Sequence, residues 1–236
     1  MKHPVVTIVT VTRNAMEALQ RTVQSVKSQT FHNYEYVVVD GASTDGTVAW
    51  LQNGADVPIR WISEPDDGIY DAMNKGGRMS KGEWVIFMNA GDCFVANDVL
   101  ERVFTPMPNA DVIYGDVVKN GVVKKASSPR NAHRMYFCHQ SCFVRRSCLL
   151  EYPFDIRHKM SADFKQMKQL GLAGKSFLQL DFPIANFDTT GVSNTHRSEG
   201  LYDNICVVHE IDCFPVQLRL IPRLLFAYFM CRLRGK

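Results

Sequence analysis

The chain is organised around residues 63–92, which read SEPDDGIYDAMNKGGRMSKGEWVIFMNAGD. Turn residues open this stretch, and its acidic pair can cap the first amides of a helix that we predict over 69–79. The unbroken apolar run over 84–88 is typical of a strand that is covered on both faces. Open α/β sheets bind ligands at the carboxyl ends of their strands, so Asn89 and Asp92 are expected to face a ligand.

Strand and helix patterns alternate in the chain before this stretch. They predict a strand over 5–11, a helix over 15–28, a strand over 34–39, a helix that begins over 47–51 and a strand over 59–62. This alternation implies parallel strands with right-handed crossovers and helices on both faces of the sheet. Since parallel strands end at one edge, we expect Thr12, Asp40 and Asp92 to lie close together.

The pattern after Asp92 is looser. It predicts a helix over 99–104, strands over 112–118, 122–125 and 138–144, a helix over 160–170 and an extended segment over 175–187. The dipeptide Asn120-Gly121 is a type I′ hairpin signal. We therefore predict an α/β domain over residues 1–198, with a mixed, mostly parallel sheet flanked by helices. A C-terminal helical segment is predicted over 199–236.

The composition is that of an ordinary globular protein, with 46% apolar and 22% charged residues. A formal net charge of +3 is too small to indicate a nucleic-acid partner. Seven cysteines without a Cys-x-x-Cys pair favour reduced thiols over a disulfide framework. The N-terminus lacks a signal-peptide pattern, and no apolar stretch reaches the roughly 18 residues that span a bilayer. We therefore expect a cytoplasmic protein.

The segment over 214–236 differs from the rest of the chain. It combines aliphatic and aromatic residues with four arginines and one lysine, and it contains no acidic residue. A basic amphipathic helix of this kind can lie in the headgroup region of an anionic membrane. It can also pack back onto the domain or onto another subunit. We favour the membrane surface, because the charges carry one sign only.

The predicted strand ends gather hydrogen-bonding groups, a cation and several acids, namely Thr12, Arg13, Asn14, Asp40, Ser43, Asp45, Asp67, Asn74, Asn89 and Asp92. This mixture suits a nucleotide, because carboxylates accept base and ribose hydrogens and a divalent cation bridges a carboxylate to a diphosphate. Each acid taken alone is more often a helix cap or a turn former. The sequence contains no Gly-rich Rossmann loop, no P-loop and no clustered zinc ligands.

Four ordered blocks carry a family resemblance, at residues 7–14 (TIVTVTRN), 38–47 (VVDGASTDGT), 63–76 (SEPDDGIYDAMNKG) and 87–92 (FMNAGD). Together they resemble the family 2 glycosyltransferases over about residues 4–195. The likeness is strongest to the bacterial enzymes of colanic acid and O-antigen assembly. The resemblance implies a GT-A fold, a nucleotide-sugar donor with UDP favoured, Mg²⁺ or Mn²⁺ as cofactor, and inversion at the anomeric carbon.

The resemblance also implies roles for individual residues on the donor side. Asp40 would bind the base, and Asp92 would bind the metal. The other residues assigned to the nucleotide sugar are Thr12, Arg13, Asn14, Ser43, Asp67, Asn74, Lys75 and Asn89. The family's acidic cluster is thinned here to Asn89-Ala90-Gly91-Asp92, which leaves one clear carboxylate for the cation. One carboxylate, the diphosphate and waters can still hold a hard cation.

The general base implied by the resemblance is Asp163, which follows Ser161-Ala162. An acceptor hydroxyl must lose its proton as it attacks the anomeric carbon. An acid in the first turn of a helix can instead satisfy the helix amides, and both roles are compatible. On the acceptor or diphosphate side, the resemblance adds His139, Gln140, His196 and Arg197, for which a buried histidine and solvated loop residues are the plainer interpretations.

These features predict an inverting, metal-dependent glycosyltransferase that adds a sugar to a saccharide linked to polyprenyl diphosphate, in bacterial surface polysaccharide biosynthesis. It would lie peripherally on the inner face of the cell membrane. One alternative is a sugar-1-phosphate nucleotidyltransferase, but this class requires a Gly-rich basic loop directly after the first strand. This chain has Thr12-Arg13-Asn14-Ala15 at that position. The other is a catalytically silent binding module, against which Asp92 and Asp163 argue.

Overall fold

Residues 3–54, 58–127, 132–189 and 197–233 are described by the computed structural model of the protein. The strands are β1 (Val6–Thr12), β2 (Tyr34–Asp40), β3 (Arg60–Ser63), β4 (Trp84–Phe87), β5 (Cys93–Phe94), β6 (Val112–Lys119), β7 (Val122–Lys124), β8 (Cys142–Arg145) and β9 (Phe177–Phe187). The helices are α1 (Met16–Lys27), α2 (Thr47–Gln52), α3 (Ile69–Met79), α4 (Val99–Phe104), α5 (Arg146–Glu151), α6 (Ala162–Leu172), α7 (Arg197–Ile211) and α8 (Phe214–Leu233). A 3-10 turn covers His139–Ser141.

The described strands form one mixed sheet in the order β3-β2-β1-β4-β8-β6-β9-β5, with β7 paired to β6. The first half is parallel, since β1 pairs with β2 and β4, and β3 pairs with β2. Strand β8 then runs antiparallel to both β4 and β6. The predicted α/β class and the mixed sheet flanked by helices are confirmed.

Helices cover both faces of this sheet. All seven residues of β1 are buried, which explains their unbroken apolar and threonine pattern. One core packs α1 and α4 against the sheet, and a second packs α3, α5 and α6 against the other face. Helix α3 approaches closely, because a side-chain carbon at Gly76 would overlap the Cγ1 atom of Val9. The spacing between α3 and β1 therefore requires glycine at this position.

The register of the parallel strands fixes which side chains meet at the carboxyl edge of the sheet. Thr12 is the direct neighbour of Asp40 across β1 and β2. The chain after β4 continues beside β1, because the Ala90 amide donates to the Val11 carbonyl at 3.1 Å. Asp92 follows two residues later. Thr12, Asp40 and the loop that carries Asp92 therefore all lie at the carboxyl edge of the sheet.

The second half departs from expectation in three places. The strand predicted over 138–144 begins only at Cys142, because the residues before it form the 3-10 turn. The short strand β5 and helix α5 were not anticipated. The hairpin between β6 and β7 is as predicted, since Asn120 and Gly121 have φ angles of 50° and 73°. No disulfide joins the cysteines of the described part of the chain.

The C-terminal helices pack back onto the domain with one face of α8. Leu220 and Leu224 are buried against Phe164 of α6 and against Val207 and Val208 of α7. The opposite face of α8 is exposed, with Phe214, Leu218, Leu225, Phe226, Phe229 and Leu233 all at the surface. Among the described helices, none combines the length and the apolar character that crossing a membrane requires.

Candidate active site

Asp40 ends β2 and is fully buried at the strand edge. Its Oδ2 atom accepts the Ser43 amide at 2.9 Å and the Ser63 hydroxyl at 2.6 Å. Its Oδ1 atom accepts the Ser43 hydroxyl at 2.5 Å. Three donors, two from Ser43 in the loop after β2 and one from Ser63 at the end of β3, therefore hold the carboxylate in one orientation. Recognition of a planar base requires such rigidity.

The loop after β1 is tied to the loop after β2. The Asn14 amide donates to the Ser43 hydroxyl at 2.7 Å, and the Asn14 side-chain oxygen accepts the Thr44 amide at 2.8 Å. The buried Thr12 hydroxyl has no hydrogen-bond partner among the described residues. A bound ligand could supply that partner. Arg13 is exposed beside this loop.

Asp45 has a structural role. Its carboxylate accepts the Met16 amide at 3.1 Å, at the start of α1. It also accepts the amide and the hydroxyl of Thr47, at the start of α2. The Thr47 hydroxyl is the largest cause of a lowered pKa for Asp45. The helix-cap interpretation of this acid therefore fits what the structure shows.

The turn before α3 brings a further acid close to the loop that follows Asp40. The Asp66 carboxylate lies against Gly41, where any side chain would collide with it. Asp67 is exposed, and its amide donates to Asp71 at 3.2 Å. Lys75 braces this turn by donating to the Pro65 carbonyl at 2.7 Å.

The electrostatics of Lys75 favour this bracing role. Burial lowers the pKa of its ammonium group, but hydrogen bonds to Glu64 and Asp71 outweigh burial and raise the pKa above its ordinary value. The ion-pair distances are 3.0 Å to Glu64 and 3.3 Å to Asp71. Lys75 is thus a fixed positive charge that holds the turn in shape.

Asn74 lies on α3, but its side-chain amide is used by a distant loop. The Nδ2 atom donates to the Phe154 carbonyl at 2.8 Å, and the Oδ1 atom accepts the Phe154 amide at 2.9 Å. This reciprocal pair clamps the loop after α5 onto α3. The structure therefore gives Asn74 a positioning role for the loop that precedes Asp163.

Asp92 is buried after β4, with only 3% of its surface exposed. Its Oδ1 atom accepts the Asp188 amide at 2.8 Å. Burial raises the pKa of Asp92 to about 6, although that amide, His139 and the Gln140 side chain act in the opposite direction. A nearby cation would favour the charged form of this carboxylate.

Asp163 is placed by the first turn of α6, and its side chain is 14% exposed. Its Oδ1 atom accepts the Tyr70 hydroxyl at 3.0 Å and the Phe164 amide at 2.8 Å. Its Oδ2 atom lies 3.3 Å from the Nδ1 atom of His139. Burial raises the pKa of Asp163, but His139, Phe164 and Tyr70 outweigh burial and lower the pKa overall. The carboxylate is therefore ionised at neutral pH and can accept a proton.

The 3-10 turn connects Asp163 to the strand edge. The other ring nitrogen of His139 lies 3.4 Å from the Asn89 side-chain amide, and Gln140 hydrogen-bonds Asp92. The Asn89 carbonyl in turn accepts the Asp92 amide at 2.9 Å. A continuous chain of contacts thus joins the predicted base to the predicted metal ligand.

The residues at this edge suit a hard divalent cation. Such ions take oxygen ligands, and the Asp92 carboxylate lies beside the Asp188 amide and the Gln140 side chain. The Asn89 Oδ1 atom is buried and has no hydrogen-bond partner among the residues the structure describes. A hydrated cation, or a hydroxyl group of the donor sugar, could supply the partner that this buried oxygen lacks.

A family model described as "Glycosyl transferase family 2" matches residues 7–166. That span contains β1, the strand-edge loops and Asp163, and it is more than half of the chain. The chain belongs to glycosyl transferase family 2.

The curated relatives of this glycosyltransferase agree with that assignment. A "PGL/p-HBAD biosynthesis glycosyltransferase" of Mycobacterium bovis is 31% identical over 175 residues, which cover 70% of this chain and 68% of the relative. A glycosyltransferase of Mycobacterium tuberculosis, itself uncharacterised, is 26% identical over 215 residues and covers 86% of this chain and 82% of its own. The narrower likeness to colanic acid and O-antigen enzymes stays a prediction.

Solved structures show that this glycosyltransferase has the GT-A fold. A mannosyltransferase of Pyrobaculum calidifontis, solved with GDP-Man and Mn²⁺, has a TM-score of 0.70 at 18% identity and covers 97% of this chain and 70% of its own. TarS 1-349 of S. aureus, solved with UDP, has a TM-score of 0.64 at 17% identity and covers 95% of this chain and 70% of its own.

Two assigned residues of the glycosyltransferase lie at the edge of what can be described. His196 lies outside the described residues, and Arg197 is the first residue of α7. Their assignment to the diphosphate side stays a prediction. Conversely, no local pattern indicates a role for Tyr70 or Asp188, which contact Asp163 and Asp92 respectively. Their partners are too far along the chain for any local pattern to reveal them.

Proposed function

We propose that the protein transfers one sugar, with inversion, from a nucleotide-diphosphate sugar to a hydroxyl of a saccharide acceptor. The observation that carries this proposal is the hydrogen-bonded Asp163 carboxylate, linked through His139 and Asn89 to the strand edge. A general base must be ionised at the working pH and must be reachable by the acceptor hydroxyl, and the Asp163 carboxylate is ionised at neutral pH and 14% exposed. A donor site also needs a fixed hydrogen-bond acceptor for the nucleotide base, for which Asp40 is suited. It needs a metal ligand as well, for which Asp92 is suited.

In the proposed reaction, the acceptor hydroxyl donates its proton to the free lone pairs of Asp163 as its oxygen bonds to the anomeric carbon. The bond from that carbon to the diphosphate oxygen breaks on the opposite face, and the nucleoside diphosphate leaves. Because one displacement occurs, the anomeric configuration inverts. His139 and Tyr70 orient the base and hold it ionised until the hydroxyl arrives. A divalent cation at Asp92, Mg²⁺ or Mn²⁺, would neutralise the diphosphate charge.

The donor is proposed to be a UDP-sugar in the first instance. Asp40 is the residue that would accept the imide hydrogen of uracil, with Thr12, Asn14 and Ser43 framing the ring. The solved relatives were determined with UDP in one case and with GDP-Man and Mn²⁺ in the other, so a guanine donor is the matched alternative. The carboxylate of Asp40 can serve either base.

The acceptor is proposed to be a lipid-linked saccharide at a membrane surface, in bacterial surface polysaccharide biosynthesis. The exposed face of α8 supports this, because it combines aromatic side chains with basic residues and carries no acid. The name of the M. bovis relative, which refers to PGL/p-HBAD biosynthesis, supports a glycolipid pathway without naming this chain's own. O-antigen and colanic acid assembly remain the proposed setting.

Two other functions are less well supported. In a sugar-1-phosphate nucleotidyltransferase, the phosphate of the sugar attacks a phosphorus atom of the nucleotide. That nucleophile is already deprotonated, so the reaction does not need a carboxylate base. A silent binding module would have no need to keep a buried carboxylate ionised by three donors, since leaving polar groups in such an environment is costly. The Asp163 environment therefore favours glycosyl transfer over both.

The test of the proposal is Asp163→Asn. Because asparagine keeps the shape but cannot take a proton, we expect transfer to fall by about 10²- to 10⁴-fold. The affinity for UDP with Mn²⁺ should change by no more than a few-fold, since Asp163 lies on the acceptor side. Transfer is measured with a panel of UDP-, GDP- and dTDP-sugars, and the anomeric configuration of the product is read by NMR.

Three outcomes would contradict the proposal. Wild-type turnover by Asp163→Asn would remove Asp163 as the base. A retained anomeric configuration would overturn the single-displacement mechanism. Failure of every nucleotide sugar to raise the thermal midpoint of the wild-type protein would overturn the donor class, because a ligand that binds only the native state must stabilise it.

A further inference from the structure

Strand β9 ends beside the loop that carries Asp92. Strands β5 and β9 pair antiparallel, with Cys93 opposite Asn186 and Phe94 opposite Ala185. Continued by two residues, this register sets Asp188 opposite Gly91. Directly opposed residues of an antiparallel pair direct their side chains to the same face, within about 5.5 Å of each other. Asp188 therefore stands across from the position where the sequence lacks a carboxylate.

The Asp188 side chain occupies the space that a side chain at Gly91 would need. A Cβ atom built on Gly91 would collide with the Asp188 Oδ2 atom and lie 3.0 Å from its Cγ atom. Gly91 also has a φ angle of +103°, which is strained for any residue with a side chain. The φ angle and the close approach of Asp188 both favour glycine at position 91, and the close approach places the Asp188 carboxylate there.

Asp188 is also tied directly to the predicted metal ligand. Its own amide donates to Asp92 Oδ1 at 2.8 Å, so the two residues are in direct contact. The Asp188 carboxylate is 20% exposed and lies 3.6 Å from the Arg21 guanidinium, which is 58% exposed. The unsatisfied Asn89 oxygen belongs to the same loop. The loop after β4 and the residue after β9 therefore bring two carboxylates side by side.

We propose that Asp188 supplies the second carboxylate of the divalent-cation site, across the sheet from the position that Gly91 leaves empty of a side chain. The two carboxylates would then reach the cation from β9 and from the loop after β4. This inference rests on the proposed metal-dependent donor binding. The alternative is that Asp188 serves only as the ion-pair partner of Arg21, a role that requires no metal ion.

The experiment compares UDP and GDP binding by calorimetry in excess MnCl₂ and in EDTA. The ratio of the two dissociation constants is the metal-dependent gain, which reports the cation site without requiring turnover. We expect Asp188→Asn to reduce this gain by about 10- to 100-fold and to leave binding in EDTA unchanged. Asp181→Asn, on the same strand and exposed, is the matched control and should keep the full gain.

Arg21→Gln separates the two roles of Asp188. If Asp188 is a cation ligand, removal of the neighbouring guanidinium keeps or increases the gain. If Asp188 serves only Arg21, both variants lower the thermal midpoint in EDTA equally and both keep the gain, which overturns the inference. If the wild-type protein shows the gain and Asp188→Asn keeps it, the inference about Asp188 is overturned, while metal-dependent donor binding stands. A wild-type protein with no gain for UDP or GDP overturns metal-dependent donor binding together with it.

Discussion

At the scale of single residues, the Asp163 carboxylate is fixed by donors from three parts of the chain. Tyr70 comes from α3, His139 from the 3-10 turn and the Phe164 amide from α6 itself. Burial would by itself raise the pKa of this acid, and the three donors together outweigh burial and lower it. The ionisation of the base is therefore set by residues that need not touch the substrate.

Tyr70→Phe should move the acid limb of the pH profile. The Tyr70 hydroxyl lowers the pKa of Asp163, so its removal raises that pKa. Since a base works only when deprotonated, the decline of kcat/KM with falling pH should begin at a higher pH in the variant. Activity at pH 5 should fall more than activity at pH 8.

The control for this shift is Tyr114→Phe, which removes a hydroxyl that bonds Gln179 instead. Its pH profile should match that of the wild-type protein. A uniform loss of kcat/KM at every pH in Tyr70→Phe would show that Tyr70 acts through packing and not through the proton affinity of Asp163.

The sequence motifs led to Asp40, Asp92 and Asp163, because each sits in a short block with its own local pattern. They gave an incomplete account of Asn74 and no account of Tyr70. The partner of Asn74 lies 80 residues away and the partner of Tyr70 lies 93 residues away. A side chain whose role is set by tertiary contact carries no local signal, so these roles needed the structure.

At the scale of elements, α7 is attached to the loop before α6 by a network of charges. Lys165 lies 2.6 Å from Asp155 and 2.5 Å from Glu210. The two ring nitrogens of His158 face Asp203 and Glu210 at 2.7 and 2.9 Å. Asp155, His158 and Glu210 have the spacing of a metal site, but the Lys165 ammonium already pairs with both carboxylates. The cluster is therefore better understood as an ion-pair network that holds the Asp163 loop.

This network should make stability sensitive to acid. Lys165 is the largest cause that lowers the pKa of Glu210, from 4.5 to about 2. A depressed pKa adds stability above the unfolded value, and that stability is lost as pH falls through the folded value. The advantage of wild type over Glu210→Gln should thus be full at pH 7 and shrink between about pH 4.5 and pH 2.

The measurement is the urea midpoint of both proteins at several pH values across that window. Glu17→Gln, at an exposed position of α1, should show no comparable pH-dependent difference from wild type. A difference for Glu210→Gln that stays constant from pH 7 to pH 2 would mean that the carboxylate contributes through shape and not through charge.

Elements with strong local signals were the ones that the sequence predicted best. Helix α3 has the bounds that its turn residues predict, and the β6–β7 hairpin follows its Asn-Gly dipeptide. The expected capping by Asp66 and Asp67 is wrong, because Gly68 is the N-cap residue and no side-chain hydrogen bond caps the helix. The 3-10 turn at 139–141 was hidden, because Cys138 to Val144 reads as a strand by composition. The contacts of His139 and Gln140 with the two acids require the chain to leave the extended conformation there.

The C-terminal helix α8 has two distinct faces, which decide how it relates to the rest of the protein. Leu220, Leu224 and Cys231 are buried, and the exposed apolar residues recur at helical spacing on the opposite side. Packing onto the domain and binding to a membrane were alternatives when only the sequence was considered. The helix has room for both, because each uses a different face. The division at residue 198 stays a prediction, since α7 and α8 share a core with Phe164 of α6.

Membrane binding should depend on the exposed face of α8 alone. Removing the whole helix is a poor test, because it would uncover Phe164 and Val207. The double variant Phe226→Ser/Phe229→Ser changes side chains that are 70% and 61% exposed, so the fold should survive. We expect it to lose binding to anionic vesicles at physiological salt, while its thermal midpoint stays near that of the wild-type protein.

The basic residues of the same helix provide the second half of this test. Arg219→Gln/Arg223→Gln should weaken binding by about 2 kcal/mol, at about 1 kcal/mol for each charge, and the loss should shrink as salt rises. Zwitterionic vesicles should bind all variants weakly. If wild-type protein ignores anionic vesicles, or if both double variants bind as wild type does, α8 is a packing element only. The acceptor would then have to reach Asp163 without help from a membrane-bound helix.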